Sequence, residues 1–284
     1  MPTRENQVEN WNASYEQFKT TYSETIDSPA NLVNTLQYEF VREDIERFLP
    51  NPKEAKILEC GCGGARTSLY LAKRGFDVTC SDYAPEALRL AKDNFAACNV
   101  KGAFLQDDLL NSGIPAESFD CVMSFGLLEH FEELHRILSN ITKLVKPGGI
   151  QIHCIIPKKL STQTLMNLVL YPLRFTKNLL SGKYERIFTS SFRDFPHYEN
   201  SFTAEEYCRA FELEGNVILR CEAGGVLFPF LILPLGIGGR LVRAFPRFFA
   251  KIVRATDRTE SKLMHLIAPT FYIVCRKRNS SAKH

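Results

Sequence analysis

From residue 56 to residue 156 short apolar runs alternate with segments of helical pattern, and that alternation constrains the fold more than any other feature. The helical pattern before it stops at Leu49-Pro50-Asn51-Pro52-Lys53, where two prolines break a helix and start a new unit. The pattern predicts strand 1 over Lys56–Cys60, a helix over Ala65–Arg74, strand 2 over Asp77–Ser81 and a helix over Pro85–Cys98. It then predicts strand 3 over Val100–Gln106, strand 4 over Phe119–Ser124, one long helix over Leu127–Val145 and strand 5 over Ile150–Ile156. Strands separated by helices pair in parallel and are covered on both faces, so the expected class is α/β with a doubly wound sheet. Two later runs, Val217–Cys221 and Phe271–Cys275, read as further strands, and Thr203-Ala204-Glu205-Glu206 reads as a capping box opening a helix to about Glu214.

Strand 1 ends in Glu59-Cys60-Gly61-Cys62-Gly63-Gly64-Ala65-Arg66. Glycines after a strand allow positive φ and bring backbone close to a ligand. The following helix turns its unpaired N–H groups toward whatever sits on the turn. A nucleotide-like ligand fits such a cradle. A dinucleotide fingerprint G-x-G-x-x-G starting at Gly61 needs glycine at position 66, where Arg66 stands.

Net charge is +3, but it is unevenly placed: residues 1–157 hold 15 Lys/Arg and 22 Asp/Glu, and residues 158–284 hold 20 and 10. A basic second half suggests an acidic or anionic partner. The nine cysteines show no Cys-x-x-Cys spacing and fall mostly in apolar runs, the pattern of buried thiols in a reducing compartment. The N-terminus, Met1-Pro2-Thr3-Arg4-Glu5-Asn6, has no apolar signal core, so a cytoplasmic location is expected. Upstream of the sheet, Trp11, Tyr15, Phe18 and Tyr22 recur at helical steps, as do Leu32, Leu36, Phe40 and Ile45. Residues 1–50 are therefore expected to form a helical lid, and 51–284 the main domain.

Several motifs in order resemble the class I S-adenosylmethionine-dependent methyltransferases. They are Glu59-x-Gly61-x-Gly63, Asp82 ending strand 2, Asp107-Asp108 after strand 3, Phe119-Asp120 opening strand 4, and Lys146-Pro147-Gly148-Gly149 before strand 5. The resemblance implies a mostly parallel seven-stranded, Rossmann-like sheet. Helical inserts would follow strand 5 (158–200) and lie between strands 6 and 7 (224–258), on the substrate side. It implies S-adenosyl-L-methionine as cofactor, with Gly61, Cys62 and Gly63 running under its methionine and ribose, and Glu59 supporting that loop or reaching its ammonium. Asp82 would accept the ribose hydroxyls and Tyr83 lie against the adenine. Asp108, with the Leu109 N–H, would read the adenine edge, Asp107 being the alternative by one register step. Phe125 would leave strand 4 beneath the sulfonium, and Tyr15 close from the N-terminal helix. The family usually has glycine where Ala65 stands.

Methyl transfer needs a general base only when the acceptor loses a proton; His130 and His197 are the candidates. Glu129-His130 with His135 suggests a metal cluster, but Gly126 stands where a first acid would complete it, and no metal is expected. Ala223–Gly239 carries no charge over seventeen residues and is broken by prolines and glycines, too short for a membrane span. Arg240, Arg243, Arg247, Lys251 and Arg254 then step by three or four with apolar residues between them. That is a basic amphipathic helix with its five cations on one face and Pro246 as a kink or restart, read either as a roof over the substrate pocket or as a peripheral contact of 240–254 with an anionic membrane. A small or lipid-like acceptor follows from these apolar segments, and nucleic acid is disfavoured because the cations are interleaved with aliphatic runs. Two other function classes stand beside methyl transfer: an NAD(P)-dependent oxidoreductase on a similar sheet, and a non-catalytic, cofactor-binding, membrane-associated scaffold.

Overall fold

A computed structural model describes residues 8–17, 22–180, 198–231 and 237–279. Its centre is one seven-stranded sheet in the order β3-β2-β1-β4-β5-β7-β6. The strands are β1 (Lys56–Cys60), β2 (Asp77–Asp82), β3 (Ala103–Gln106), β4 (Phe119–Phe125), β5 (Val145–Ile155), β6 (Asn216–Gly224) and β7 (Thr270–Lys277). The first five pair in parallel, with Ile57 opposite both Val78 and Cys121, while β7 runs antiparallel between β5 and β6. A reversed strand inserted there departs from the six-stranded parallel order of dinucleotide-binding sheets. The strand order reverses between β1 and β4, and the carboxyl ends of strands on either side of such a point leave a crevice.

Helices α1 (Val8–Gln17) and α2 (Pro29–Phe48) precede the sheet. Within it come α3 (Arg66–Ala72), α4 (Pro85–Ala97), α5 (Leu134–Leu144), α6 (Thr162–Leu180) and α7 (Ala204–Leu213). Between β6 and β7 lie α8 (Phe228–Leu231), α9 (Ile237–Ala244), α10 (Pro246–Thr256) and α11 (Lys262–Ile267). The sheet is apolar on both faces because each is covered. Tyr38, Val41 and Ile45 of α2 join Leu69 and Leu71 of α3 on one side, and Ile137, Leu138 and Ile141 of α5 join Tyr207 and Phe211 of α7 on the other. The predicted capping box is present, Thr203 and Glu206 each bonding the other's backbone N–H at the start of α7.

Three sequence expectations are corrected. The single helix over Leu127–Val145 is split into a 3-10 turn, Leu128–His130, and α5. The turn's carbonyls are taken by another segment: Asn200 binds those of Leu128 and Phe131 through its side chain and that of Glu129 through its backbone N–H. Held there, the chain turns extended at Phe131 (φ −112°, ψ 134°), and that breaks the α-helical ladder. Second, Tyr22 does not share a helix with Trp11 and Tyr15 of α1: it is non-helical and stacks on Tyr38 (6.0 Å), while Phe18 lies outside the described residues. Third, the basic stripe restarts at Pro246 as expected, but Arg254 leaves the shared cationic face and turns onto α2, where it pairs with Glu39 and with Glu43 (3.2 Å).

α2 is a wall of the domain. Both oxygens of its Asp44, 1 % exposed, accept from Arg258 Nη2 (2.9 and 3.0 Å), and Arg258 Nε also reaches Glu222 of β6 (2.9 Å). The insert helices pack Val242 and Val253 against Leu32, Leu36 and Phe40 on its far side. α1 is docked differently. Asn12 accepts the Glu86 N–H (3.2 Å) at the first turn of α4, whose own N-cap, Ala84, has no side chain to offer.

Candidate active site

The β1–α3 turn is built from backbone in the left-handed region: φ is +61° at Gly61, +51° at Gly63 and +49° at Ala65. A Cβ at Gly61 would lie 2.6 Å from Leu127, and one at Gly63 would lie 2.9 Å from the Tyr15 hydroxyl. Glycine is required at both places by conformation and by crowding. Ala65, fully buried at the N-cap of α3, takes the same conformation with a side chain, at a cost of about 1 kcal/mol.

Two buried carboxylates hold this turn. Glu59 Oε2 accepts the Ser68 N–H in the first turn of α3 (3.0 Å), tying strand to helix across the glycines. Burial pushes the Glu59 carboxyl up to about 7, against the pull of the Ser68 bonds and of Arg66. Asp82, at the end of β2, accepts the Gly63 N–H on Oδ2 (2.9 Å) and the Ala84 N–H on Oδ1 (3.0 Å). Burial raises its carboxyl too, and those N–H groups oppose the rise. With Tyr83 as a third backbone donor, the carboxylate still keeps acceptor capacity for a ligand.

After β3 the two acids differ. Asp108 caps a 3-10 turn through Leu110 N (3.0 Å) and Asn111 Nδ2 (3.2 Å). Asp107 bonds the Gly113 N–H through Oδ1 (2.9 Å) and keeps Oδ2 buried without a partner. Both line the same cavity, of about 440 Å³, which the crevice between β1 and β4 opens into. With them line it Glu59, Gly61, Cys62, Gly63, Asp82, Tyr83, Leu109, Phe125, Tyr15 and His130, so the structure brings every described candidate to one place. His197 lies outside the described residues.

Sequence reasoning missed a second wall. Asn34, Gln37 and Tyr38 of α2, and Cys154 and Ile156 at the end of β5, also line the cavity. The signal was there in part, since 34, 37 and 38 share a helix face beside the apolar stripe that drew attention. None of the residues 237–256 line it. The basic helices stand behind α2, so they roof that helix and not the cavity. His135 is directed away, toward Glu214 (3.5 Å), and does not join Glu129 and His130.

Also lining the cavity, His130 has its Nδ1 against the Tyr198 carbonyl (2.7 Å), and the Trp11 ring packs edge-on to it at 5.0 Å. Burial lowers the His130 pKa, so the ring is neutral at pH 7. Glu129 behind it is 2 % exposed, and burial pushes its carboxyl up to about 8. Tyr15 closes over the glycines from α1; burial and then Asp82 hold its hydroxyl protonated.

The arrangement fits S-adenosylmethionine on three observations. The glycine cradle has no room for a Cβ, Asp82 offers two oxygens at a strand end, and Asp107 keeps an unpartnered buried acceptor. Comparison with known proteins agrees. Residues 57–149 match the model of a family described as a methyltransferase domain. The chain is 30% identical over 122 residues to a ubiquinone biosynthesis O-methyltransferase of Xanthomonas axonopodis pv. citri (strain 306), covering 43% of this chain and 49% of that one. It thus spans about half the length of the curated relatives it matches. Among solved structures it resembles, at TM-score 0.59 and 18% identity, a protein from the conversion of a disulfide bond into a thioacetal group during echinomycin biosynthesis, over 97% of this chain and 95% of the other. A putative sarcosine dimethylglycine methyltransferase from Galdieria sulphuraria aligns at TM-score 0.54 and 14% identity over 86% and 85%. These two share the fold. Residues 57–149 thus carry a methyltransferase domain, and the chain is similar to the class I S-adenosylmethionine-dependent methyltransferases.

Proposed function

We propose that the chain transfers a methyl group from S-adenosylmethionine to a hydroxyl of a small or lipid-like acceptor. The observation that carries this reading is one cavity lined by two unlike sets of groups: the glycine turn with the acids Asp82, Asp107 and Asp108, and the ring side chains of His130, Phe131 and Trp11. Gly61, Cys62 and Gly63 hold the methionine portion, Asp82 the ribose, and Tyr83, Leu109 and one of Asp107 or Asp108 the adenine. The unpartnered Asp107 oxygen makes it as strong a candidate as Asp108. Bound there, S-adenosylmethionine supplies an electrophilic methyl group.

The chain's own part is positioning, exclusion of water and removal of one proton. Tyr15 and Trp11 of α1 close the cavity, which makes α1 the working part of the expected lid. With Nδ1–H donated to the Tyr198 carbonyl, the basic nitrogen of neutral His130 is Nε2. It takes the proton of the acceptor hydroxyl as oxygen becomes methylated. The relative's name as an O-methyltransferase supports oxygen as the accepting atom. Labelled methyl transfer to a lysate, split into lipid and aqueous phases, tests this: label belongs in a base-stable ether in the lipid phase. Label confined to protein or nucleic acid would overturn it.

The same reading includes a peripheral membrane contact. Arg243, Arg247 and Lys251 are exposed beside exposed Leu241, Phe245 and Phe248, with no acidic residue from 240 to 256. Cations over interleaved apolar groups suit an anionic bilayer surface, and among the described residues no helix is long and apolar enough to cross one. Replacing the three cations by glutamine should weaken binding to vesicles containing about one third phosphatidylglycerol by roughly a hundredfold, at about 1 kcal/mol per charge. Equal sedimentation of wild type and variant would remove the contact from the account.

A further inference from the structure

Asn200 is 3 % exposed, and its whole amide is engaged. Nδ2 donates to the carbonyls of Leu128 (3.1 Å) and Phe131 (3.0 Å), while Oδ1 accepts from the Tyr207 hydroxyl (2.9 Å) and the Phe202 N–H (3.4 Å). Its backbone N–H donates to the Glu129 carbonyl (2.7 Å), and its carbonyl accepts from Lys158 N–H (2.7 Å). One residue therefore closes around both ends of the 3-10 turn that carries His130, a turn with no side-chain cap of its own. Behind it stands Tyr207, fully buried on α7.

Two residues before Asn200, the Tyr198 carbonyl meets His130 Nδ1. A carbonyl only accepts, so Nδ1 carries the hydrogen, and a neutral imidazole has one N–H. Which ring nitrogen is protonated is set by the bond the other makes. Here that bond depends on two separate segments, 128–131 and 198–200, being held in register, and Asn200 holds them through its side-chain amide together with its backbone N–H.

We propose that Asn200 is a positioning residue that fixes the Tyr198 carbonyl against the Leu128–Phe131 turn, so that His130 keeps its hydrogen on Nδ1 and its lone pair on Nε2. The catalytic meaning rests on His130 as the proton acceptor proposed above; the tautomer does not. Tyr207, through its hydroxyl on Asn200 Oδ1, supports the same clamp at one remove. A histidine in the opposite tautomer would offer Nε2–H to the acceptor and could not take its proton.

The test is 15N NMR of the full chain labelled at histidine, at neutral pH, with the His130 signals identified by their loss in His130→Gln. The expected wild-type pattern is a neutral ring protonated at Nδ1. Asn200→Ala should shift the population toward Nε2–H, and Tyr207→Phe, which removes one hydroxyl, should shift it part of the way. In the same variants kcat should fall, roughly a hundredfold for Asn200→Ala, with the KM for S-adenosylmethionine unchanged. A wild-type ring protonated at Nε2 overturns the proposal, as does an Nδ1–H pattern unmoved in both variants. If Asn200→Ala does not fold, Tyr207→Phe decides alone: an unmoved tautomer there refutes the clamp. Absence of methyl transfer by the wild type counts against the function and not the clamp, because the tautomer is read without donor or acceptor.

Discussion

Gly63→Ala tests whether α1 is seated on the donor turn. The substitution puts a side chain at φ +51°, which costs roughly 1–2 kcal/mol. Its Cβ would also lie 2.9 Å from the Tyr15 hydroxyl, closer than real contacts allow. Tyr15 is hemmed in by the stacked Trp11 ring at 6.2 Å, so relief comes by shifting α1 and straining the Asn12 bond to Glu86, worth about 1 kcal/mol. The expected loss in the wild-type background is about 3 kcal/mol. In Tyr15→Phe the hydroxyl is gone and the nearest ring carbon is at 3.3 Å, so the loss should fall close to the backbone cost. A double-mutant cycle by urea denaturation should therefore give a coupling of about 1 kcal/mol. Costs equal within about 0.4 kcal/mol in the two backgrounds would mean that α1 does not rest on the turn, and the lid reading would fall with it.

Glu129 gives a pH signature. Its folded carboxyl, pushed by burial from 4.5 to about 8, keeps a proton that the unfolded chain releases, so stability falls as pH rises from about 4.5 to about 8, by roughly 1 kcal/mol per unit. Glu129→Gln should flatten that slope and gain on the wild type toward pH 8; parallel curves of unfolding free energy against pH would refute the assignment. Arg258→Ala should destabilise by about 1.5–3 kcal/mol, because it removes the nitrogen bonded to both oxygens of buried Asp44 and leaves it Arg220 at 3.5 Å as its remaining cation. A loss under about 1 kcal/mol would place that pair among weak surface bridges.

The sheet was legible because its strands are short apolar runs set between helical segments, and the donor end because glycines and strand-end acids sit close in sequence to the elements that place them. Asp82 needs only the end of β2 to be correctly read. What escaped were contacts made by distant segments. Nothing local to Leu127–Val145 says that Asn200 will take its carbonyls, and the run reads as one helix. Arg254 looks like a fifth exposed cation until α2 brings Glu39 and Glu43 beside it. Asn34, Gln37 and Tyr38 are polar or aromatic positions on an amphipathic helix, and only the packing of its apolar face against the sheet turns them toward the cavity.

The central claim is that the β1–α3 turn and Asp82 bind a sulfonium donor, and thermal unfolding with added ligand tests it most directly. S-adenosylmethionine or S-adenosylhomocysteine at a hundredfold excess over Kd should stabilise the chain by roughly 3 kcal/mol, a rise of several degrees in Tm. Asp82→Ala should abolish the rise, and NAD(H) should leave Tm unmoved. A Tm raised by NAD(H) alone, or an S-adenosylmethionine shift undiminished in Asp82→Ala, would contradict the account.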